Sequence, residues 1–471
     1  MLFNSFLFMG AYLPATLMGF ALARRIGAAA GSTWLILASL TFYGWAHAGF
    51  LPVLLCSVLG NFVIACAIVR YDGPERSAIV ASGIVLNLAA LAWYKYLAVT
   101  LRAFGVDFPD QDLPLGISFF TFTQIGYLLD CGASLTRPRG LLNYLTFTTF
   151  FPHLTSGPIL NGREVEASFP PPPLIAANVI IGLGMFLIGL MKKTLLADPI
   201  ASMVAPGFSD GAALMVFASW RSALAWSLQL YFDFSGYSDM AVGLARMFGV
   251  NFPWNFNAPY TARNVIDYWQ RWHMSLTRFL TNTIHAPLSL MLMRRRHARG
   301  DRRGARSLGG FAVLVALPVS LTMLAAGIWH GAAWTFVVFG VLHGGFLIVN
   351  HAWRLWAPMR LPAVVSVAIT YVCVLSAAVI FRAPSLDVAG TLLGGMIGWH
   401  GIETAIDPRA LLDAAWLAGE FLIVWCAPTT QTITSERVMT FSPQWAIGYG
   451  IAAAVGILSL GGTGEFLYFQ F

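Results

Sequence analysis

Two histidines that lie in an apolar stretch containing no acidic or basic residue are the side chains of this chain best suited to proton transfer. They are His330 and His343, in Leu321–Val349 (LTMLAAGIWHGAAWTFVVFGVLHGGFLIV). A charge-capable group at membrane depth is costly to keep. Imidazole costs least, because with an unperturbed pKa of about 6.5 it stays neutral when desolvated and still accepts a proton during chemistry. His330 therefore reads as a site candidate. Gly327, Gly331, Gly340, Gly344 and Gly345 remove side-chain bulk and let a second helix or a slender acyl chain approach. The competing reading makes both histidines packing residues bonded to backbone carbonyls.

Other ionisable residues stand in membrane-like sequence. Leu228–Val250 (LQLYFDFSGYSDMAVGLARMFGV) carries Asp233 and Asp239. An acid there must be paired or face water, which makes it a functional hypothesis by default. Six positions apart on one helix, the two fall on different faces and do not read as an acid/base dyad, whereas Ser235 and Asp239 share a face. The span Ile175–Met191 is expected to end at Lys192 and Lys193, either as plain topological anchors or as contacts for the phosphates of a cytoplasmic donor. In Arg263–Leu280 (RNVIDYWQRWHMSLTRFL), Val265, Trp269, Trp272, Leu276 and Phe279 repeat at helical spacing against Arg263, Asp267, Arg271 and Arg278. The pattern predicts one amphipathic helix along the membrane interface, with Asp267 pairing Arg263 and Arg271, and His273 either pointing inward or sitting in the interface.

The elements that must position these groups are transmembrane. Of 471 residues, 58% are hydrophobic and 10% charged, against roughly a quarter charged in soluble domains. The fold class is all-α and polytopic, with roughly eleven to thirteen membrane segments, some of them short re-entrant or interfacial helices, in a single integral-membrane domain over residues 1–471. Leu2–Ala23, followed by Arg24 and Arg25, reads as a retained first span rather than a cleaved signal. Leu113–Asp130 mixes Ser118, Thr121, Thr123 and Gln124 into an aromatic run, as expected for helix-to-helix hydrogen bonds. Phe151–Gly162 is too short and too rich in proline and glycine to span as one helix, so its backbone must be buried in protein or line a cavity; His153 faces that cavity or lies in an interfacial loop. Pro170–Pro173 predicts an extended spacer.

Lys and Arg exceed Asp and Glu by 28 to 21. The surplus is concentrated in Arg294–Arg306 (RRRHARGDRRGAR), which between apolar spans reads as a cytoplasmic loop under the positive-inside rule rather than as a nucleic-acid site. Cys56, Cys66, Cys131, Cys373 and Cys426 form no CxxC pair and no metal-ligand spacing, so neither a disulfide framework nor a metal is expected.

Nine blocks in one order resemble the polysaccharide branch of the membrane-bound O-acyltransferase (MBOAT) family. They are LASLTFYGW, LPLGISFFTF, FPHLTSGPI, LYFDFSGYSDMA, YWQRWHMSLTRFL, GIWHGAAWTFVVFGVLHG, FRA before Pro384, WCAPTTQ and the terminal EFLYFQF. The chain departs from the family pattern at Thr429, where Asn is expected after the proline, and at Val338–Phe339, which leaves the polymer open. The resemblance implies that His330 is the catalytic histidine and that an acetyl group is taken from a cytoplasmic donor, acetyl-CoA. It further implies delivery through the bacterial inner membrane to a periplasmic acetyltransferase of the SGNH-hydrolase type, working with exopolysaccharide synthesis and export machinery on alginate, cellulose or another glycan. In that chemistry His330 serves as the base, its imidazolium then offsets the negative tetrahedral intermediate, and Trp329 or Trp334 donates to the oxyanion. His343 orients the acceptor or packs. A lipid or polysaccharide flippase and a non-catalytic export scaffold remain alternatives. A flippase is expected to show internal repeats or several intramembrane charges, and a scaffold does not need His330.

Overall fold

The computed structural model describes residues 1–109, 111–162, 164, 168–211, 213–301, 304–357, 359–405, 407–435, 443–460 and 466–467. Among them every regular element is helical. Among the described residues six helices are long and apolar enough to cross a membrane: Ala48–Arg70, Gly73–Lys95, Ala176–Ala197, Leu308–His330, Trp334–Trp356 and Ala363–Arg382. The other helices are shorter or carry more polar residues. The residue contacts divide the chain into two units, the first made of Met1–Thr194, Phe234–Trp254 and Thr430–Gln470, the second of Leu195–Asp233 and Asn255–Thr429.

Four widened, π-helical turns share one cause. They cover Phe8–Tyr12, Lys192–Ala197, Thr281–His285 and Ala312–Ala316, and each stands two residues before a proline: Pro14, Pro199, Pro287 and Pro318. Proline offers no N–H and its ring crowds the carbonyl four residues back, which in every case lies inside the widened turn.

In the first unit, polar side chains inside apolar helices pair across helices. Asn61 and Asn87 exchange amide hydrogen bonds at 2.7 and 3.1 Å, and Gln124 donates to Ser57 at 3.2 Å. This is the role expected of such residues in lipid. The helix Ile117–Gly132 begins after Gly116, whose φ of +73° and whose approach to Leu154, where a Cβ would meet the carbonyl oxygen at 2.7 Å, both require glycine. Residues 151–160 are all buried, with one helical turn at Phe151–Leu154 and irregular backbone after it. Pro170–Pro173 is likewise non-helical.

The helix Ala176–Met191 packs antiparallel on the part of Val216–Met247 that belongs to this unit. Gly182 faces Gly243 and Gly189 faces Gly236, so closely that a Cβ on Gly243 would lie 2.5 Å from the Gly182 carbonyl oxygen. The seven-residue spacing repeats on both helices, which puts each glycine pair on one seam. The expected end of this span is corrected: the helix does not stop at the lysines but runs through them as the turn Lys192–Ala197. Lys192 is tolerated there because Asp239 neutralises it.

In the second unit, Leu308–His330 and Trp334–Trp356 form a hairpin joined by residues 331–333. Their backbones touch at Gly327 and Gly340, where a Cβ on Gly340 would meet the Met323 carbonyl oxygen at 2.5 Å. The single amphipathic helix expected over Arg263–Leu280 is also corrected. Two short helices, Val265–Trp269 and Met274–Leu280, are separated by a break at His273, which has φ +42°. The break turns Tyr268, Trp269 and Trp272 inward, where all three are buried, so tertiary packing overrides the periodic pattern that predicted an interfacial helix. Asp267 accepts from the Arg271 side chain at 2.7 Å and from the Arg263 backbone N–H at 3.2 Å, instead of pairing two guanidiniums. Of the basic loop, Arg294–Arg296 belong to the helix Ala286–Ala298, Arg296 pairs with Asp301 at 2.6 Å, and Arg302 and Arg303 lie outside the described residues. So do Gly464, Glu465 and the last four residues of the terminal GEFLYFQF block.

Candidate active site

In the second unit His330 is the last residue of its helix and is 4% exposed. Four aromatic rings surround its imidazole. Trp329 and Phe381 stand edge-on with centroids 4.8 and 4.9 Å away, Phe339 edge-on at 5.9 Å, and Phe336 stacks at 6.4 Å. The glycine after His330 is needed for space, since a Cβ there would run into the Phe336 ring. An imidazole in this setting is kept from bulk water, and proton transfer to it requires the partner to be brought in.

Phe339 also stands against His343, edge-on at 4.7 Å, so one ring separates the two histidines. The indole Nε1 of Trp269 donates to His343 Nδ1 at 3.2 Å. Tyr268 stacks on the same imidazole at 6.2 Å with planes 5° apart. Indole is a donor only, so Nδ1 is the unprotonated nitrogen and neutral His343 carries its hydrogen on Nε2.

His273 approaches from the other side of Trp329, ring to ring at 6.1 Å. Its Nδ1 lies 3.1 Å from Asn255 Oδ1, which also accepts from the Ser275 N–H at 3.2 Å and from its hydroxyl at 3.0 Å. An oxygen taking three donors makes Nδ1 the protonated nitrogen of His273. Lying outside the six spanning helices, His273 has its pKa lowered by burial to about 3 and is neutral. Trp329 is thus flanked by two imidazoles, His273 and His330, and is 4% exposed. Trp334 is 74% exposed and does not join this buried set. Asp233, also in this unit, is 1% exposed.

The first unit holds the remaining candidates. Lys192 Nζ donates to Asp239 Oδ2 at 2.6 Å and to Thr430 Oγ1 at 2.9 Å, and Thr430 donates to the same carboxylate oxygen at 2.6 Å. Lys192 is thereby bound in a largely buried ion pair, and Lys193 is 4% exposed. A cavity of about 370 Å³ opens nearby on Ile181, Met185, Val242 and Phe252, with Arg246, Gln431 and Thr434 among its polar lining. His153 is a packed histidine here, with Nε2 at 2.7 Å from the Phe147 carbonyl oxygen and its ring stacked on Phe147. Among the described residues no group of three or more His, Cys, Asp and Glu side chains is placed to hold a metal ion.

The model of the membrane-bound O-acyltransferase family matches residues 37–302. The chain belongs to this family. As an MBOAT it is a membrane acyltransferase, and its curated relatives carry names of that chemistry. It is 33% identical over 445 residues to the peptidoglycan O-acetyltransferase of Helicobacter pylori, covering 86% of this chain and 81% of the relative. It is 33% identical over 414 residues to the probable alginate O-acetylase AlgI of Azotobacter vinelandii, covering 85% and 78%. A teichoic acid D-alanyltransferase of Streptococcus thermophilus is 28% identical over 247 residues, about half of each chain.

Sequence reasoning on this MBOAT chain missed the groups that fix the histidines rather than the histidines themselves. Helical spacing puts Trp269 on an apolar helix face, and Asn255 carries no signal beyond standing 18 residues before His273. Phe381 belongs to a different span, and only folding brings it to His330.

Proposed function

We propose that this MBOAT chain acts as one integral-membrane domain in the bacterial inner membrane, moving acetyl groups from cytoplasmic acetyl-CoA outward for O-acetylation of an exported polysaccharide. His330 is its general base. The observation that carries this reading is a buried imidazole, enclosed by four rings, at the end of an uncharged span. The relatives named for peptidoglycan and alginate O-acetylation support an acetyl group and a glycan destination. The recipient of the acetyl group is a periplasmic acetyltransferase of the SGNH-hydrolase type, coupled to export machinery for alginate, cellulose or a related polymer.

His330 takes the proton of the incoming hydroxyl as its oxygen attacks the thioester carbonyl carbon. The imidazolium stabilises the resulting oxyanion and returns the proton to the departing thiolate, leaving an ester and free thiol. His343, held as its Nε2–H form, supplies a donor beyond Phe339, and Trp329 is the indole donor closest to His330. His273, in ring contact with Trp329, and the buried Asp233 are the site's candidate supporting residues. Lys192 and Lys193 are the candidates for contact with donor phosphates.

The test has two parts. Removal of the protein should abolish O-acetyl groups on one exported polymer, and the purified chain should release free thiol from acetyl-CoA only when an acceptor is present. Unchanged acetylation of every exported polymer would overturn the assignment.

A further inference from the structure

The cavity of the first unit lies beside the glycine seam between Ala176–Met191 and Val216–Met247. Ile181 and Met185 line it from one helix and Val242 and Arg246 from the other, each pair four residues apart and so on one face. The close approach of Gly182 and Gly243 brings the two faces together. The space between them is about 370 Å³.

Its polarity is graded. Val242 and Met185 lie a turn deeper than Arg246, which stands in the last turn of its helix. The guanidinium donates to Asn251 Oδ1, and both residues belong to the lining, as does the amide of Gln431. One neutral oxygen engages only part of a fork that carries five N–H donors.

The depth of Arg246 in the membrane follows from its neighbours. Phe248, two residues beyond it, packs edge-on against Phe20 at 5.4 Å. Phe20 stands one turn before Arg24 and Arg25, in the last turn of Leu13–Ile26. The positive-inside rule puts that flank in the cytoplasm, so Arg246 reaches the cytoplasmic headgroups. Trp254, a partly exposed indole in the lining, is of the type that settles at the same level.

A basic group over an apolar cleft between helices, on the cytoplasmic side, takes a phosphate headgroup with its acyl chain below. We propose that this cavity binds one anionic phospholipid of the cytoplasmic leaflet, its phosphate on Arg246 and an acyl chain against Ile181, Met185 and Val242. Coenzyme A offers the same phosphate chemistry. It would bring several negative charges and a polar nucleotide to a lining whose charged side chain, among the described residues, is Arg246. A phosphodiester with one charge and an apolar tail matches that lining better.

The test is native mass spectrometry of the full chain released from nanodiscs of equal phosphatidylglycerol and phosphatidylcholine. The native chain should retain phosphatidylglycerol over phosphatidylcholine by about tenfold. Arg246→Gln should lose that preference, and Arg246→Lys, which keeps the charge but not the fork, should hold part of it. Val242→Phe, which narrows the apolar part and leaves Arg246 in place, should also lower retention of phosphatidylglycerol. Equal retention of the two lipids by the native chain, or an unchanged preference in Arg246→Gln, would overturn the proposal. So would displacement of phosphatidylglycerol by coenzyme A added in stoichiometric amount, since the occupant would then be the donor. Retention is read without turnover, so a failure of acetyl transfer through His330 would leave it unchanged.

Discussion

Trp269 Nε1 and His343 Nδ1, 74 residues apart in the chain, form a buried hydrogen bond of 3.2 Å that joins the broken helix at His273 to the histidine hairpin. Its chemistry is directional, because the indole only donates and the imidazole nitrogen must accept. Trp269→Phe removes the donor and leaves a buried acceptor without one, at a cost of about 1–3 kcal/mol. Unfolding of the purified variant in detergent should show that loss, and stability equal to the native chain would contradict the bond as drawn.

Asp239 in the first unit answers to Lys192 and Thr430. Asp239→Asn should destabilise the protein by about 3–5 kcal/mol, since removal of one partner leaves the other charge buried. The paired change Lys192→Met with Asp239→Leu should recover most of that stability. If Asp239→Asn proves harmless, the pair is solvated and Lys192 is available to a phosphate.

The hairpin seam predicts a contrast between two glycines on one helix. Gly340→Ala places a methyl 2.5 Å from the Met323 carbonyl oxygen, whereas a Cβ on Gly345 meets nothing within 4 Å. Gly340→Ala should cost about 1–3 kcal/mol through overpacking, and Gly345→Ala should be neutral or stabilising by up to about 1 kcal/mol. Equal thermal stability of the two variants would refute the close crossing.

How much was legible in the sequence follows from the range of each interaction. A histidine in an uncharged apolar run announces itself locally, and so do amides such as Asn87 and Gln124, which had to find partners in lipid and did. The break at His273 was not legible. Val265, Trp269, Trp272, Leu276 and Phe279 satisfy helical spacing whether or not the helix is continuous, and the deciding contacts come from Asn255 and from His343. Thr430 lies 191 residues from the carboxylate it completes, beyond any spacing argument. The widened turns were readable in principle, since each precedes a proline.

Orientation is tested at the arginine-rich loop. A cysteine placed at Gly300 should resist an impermeant thiol reagent in intact cells and react once the membrane is opened, because the arginines beside the span oppose translocation. Prompt labelling from outside would invert the topology.

The most direct measurement is acetyl transfer from acetyl-CoA by purified, folded His330→Ala. Loss of a general base predicts a fall of roughly 10²-fold or more, with no rescue by His330→Gln, whose amide hydrogen-bonds but takes no proton. His343→Ala should cost less. Transfer by His330→Ala at close to the native rate would contradict the account and leave His330 a packing residue among its four rings.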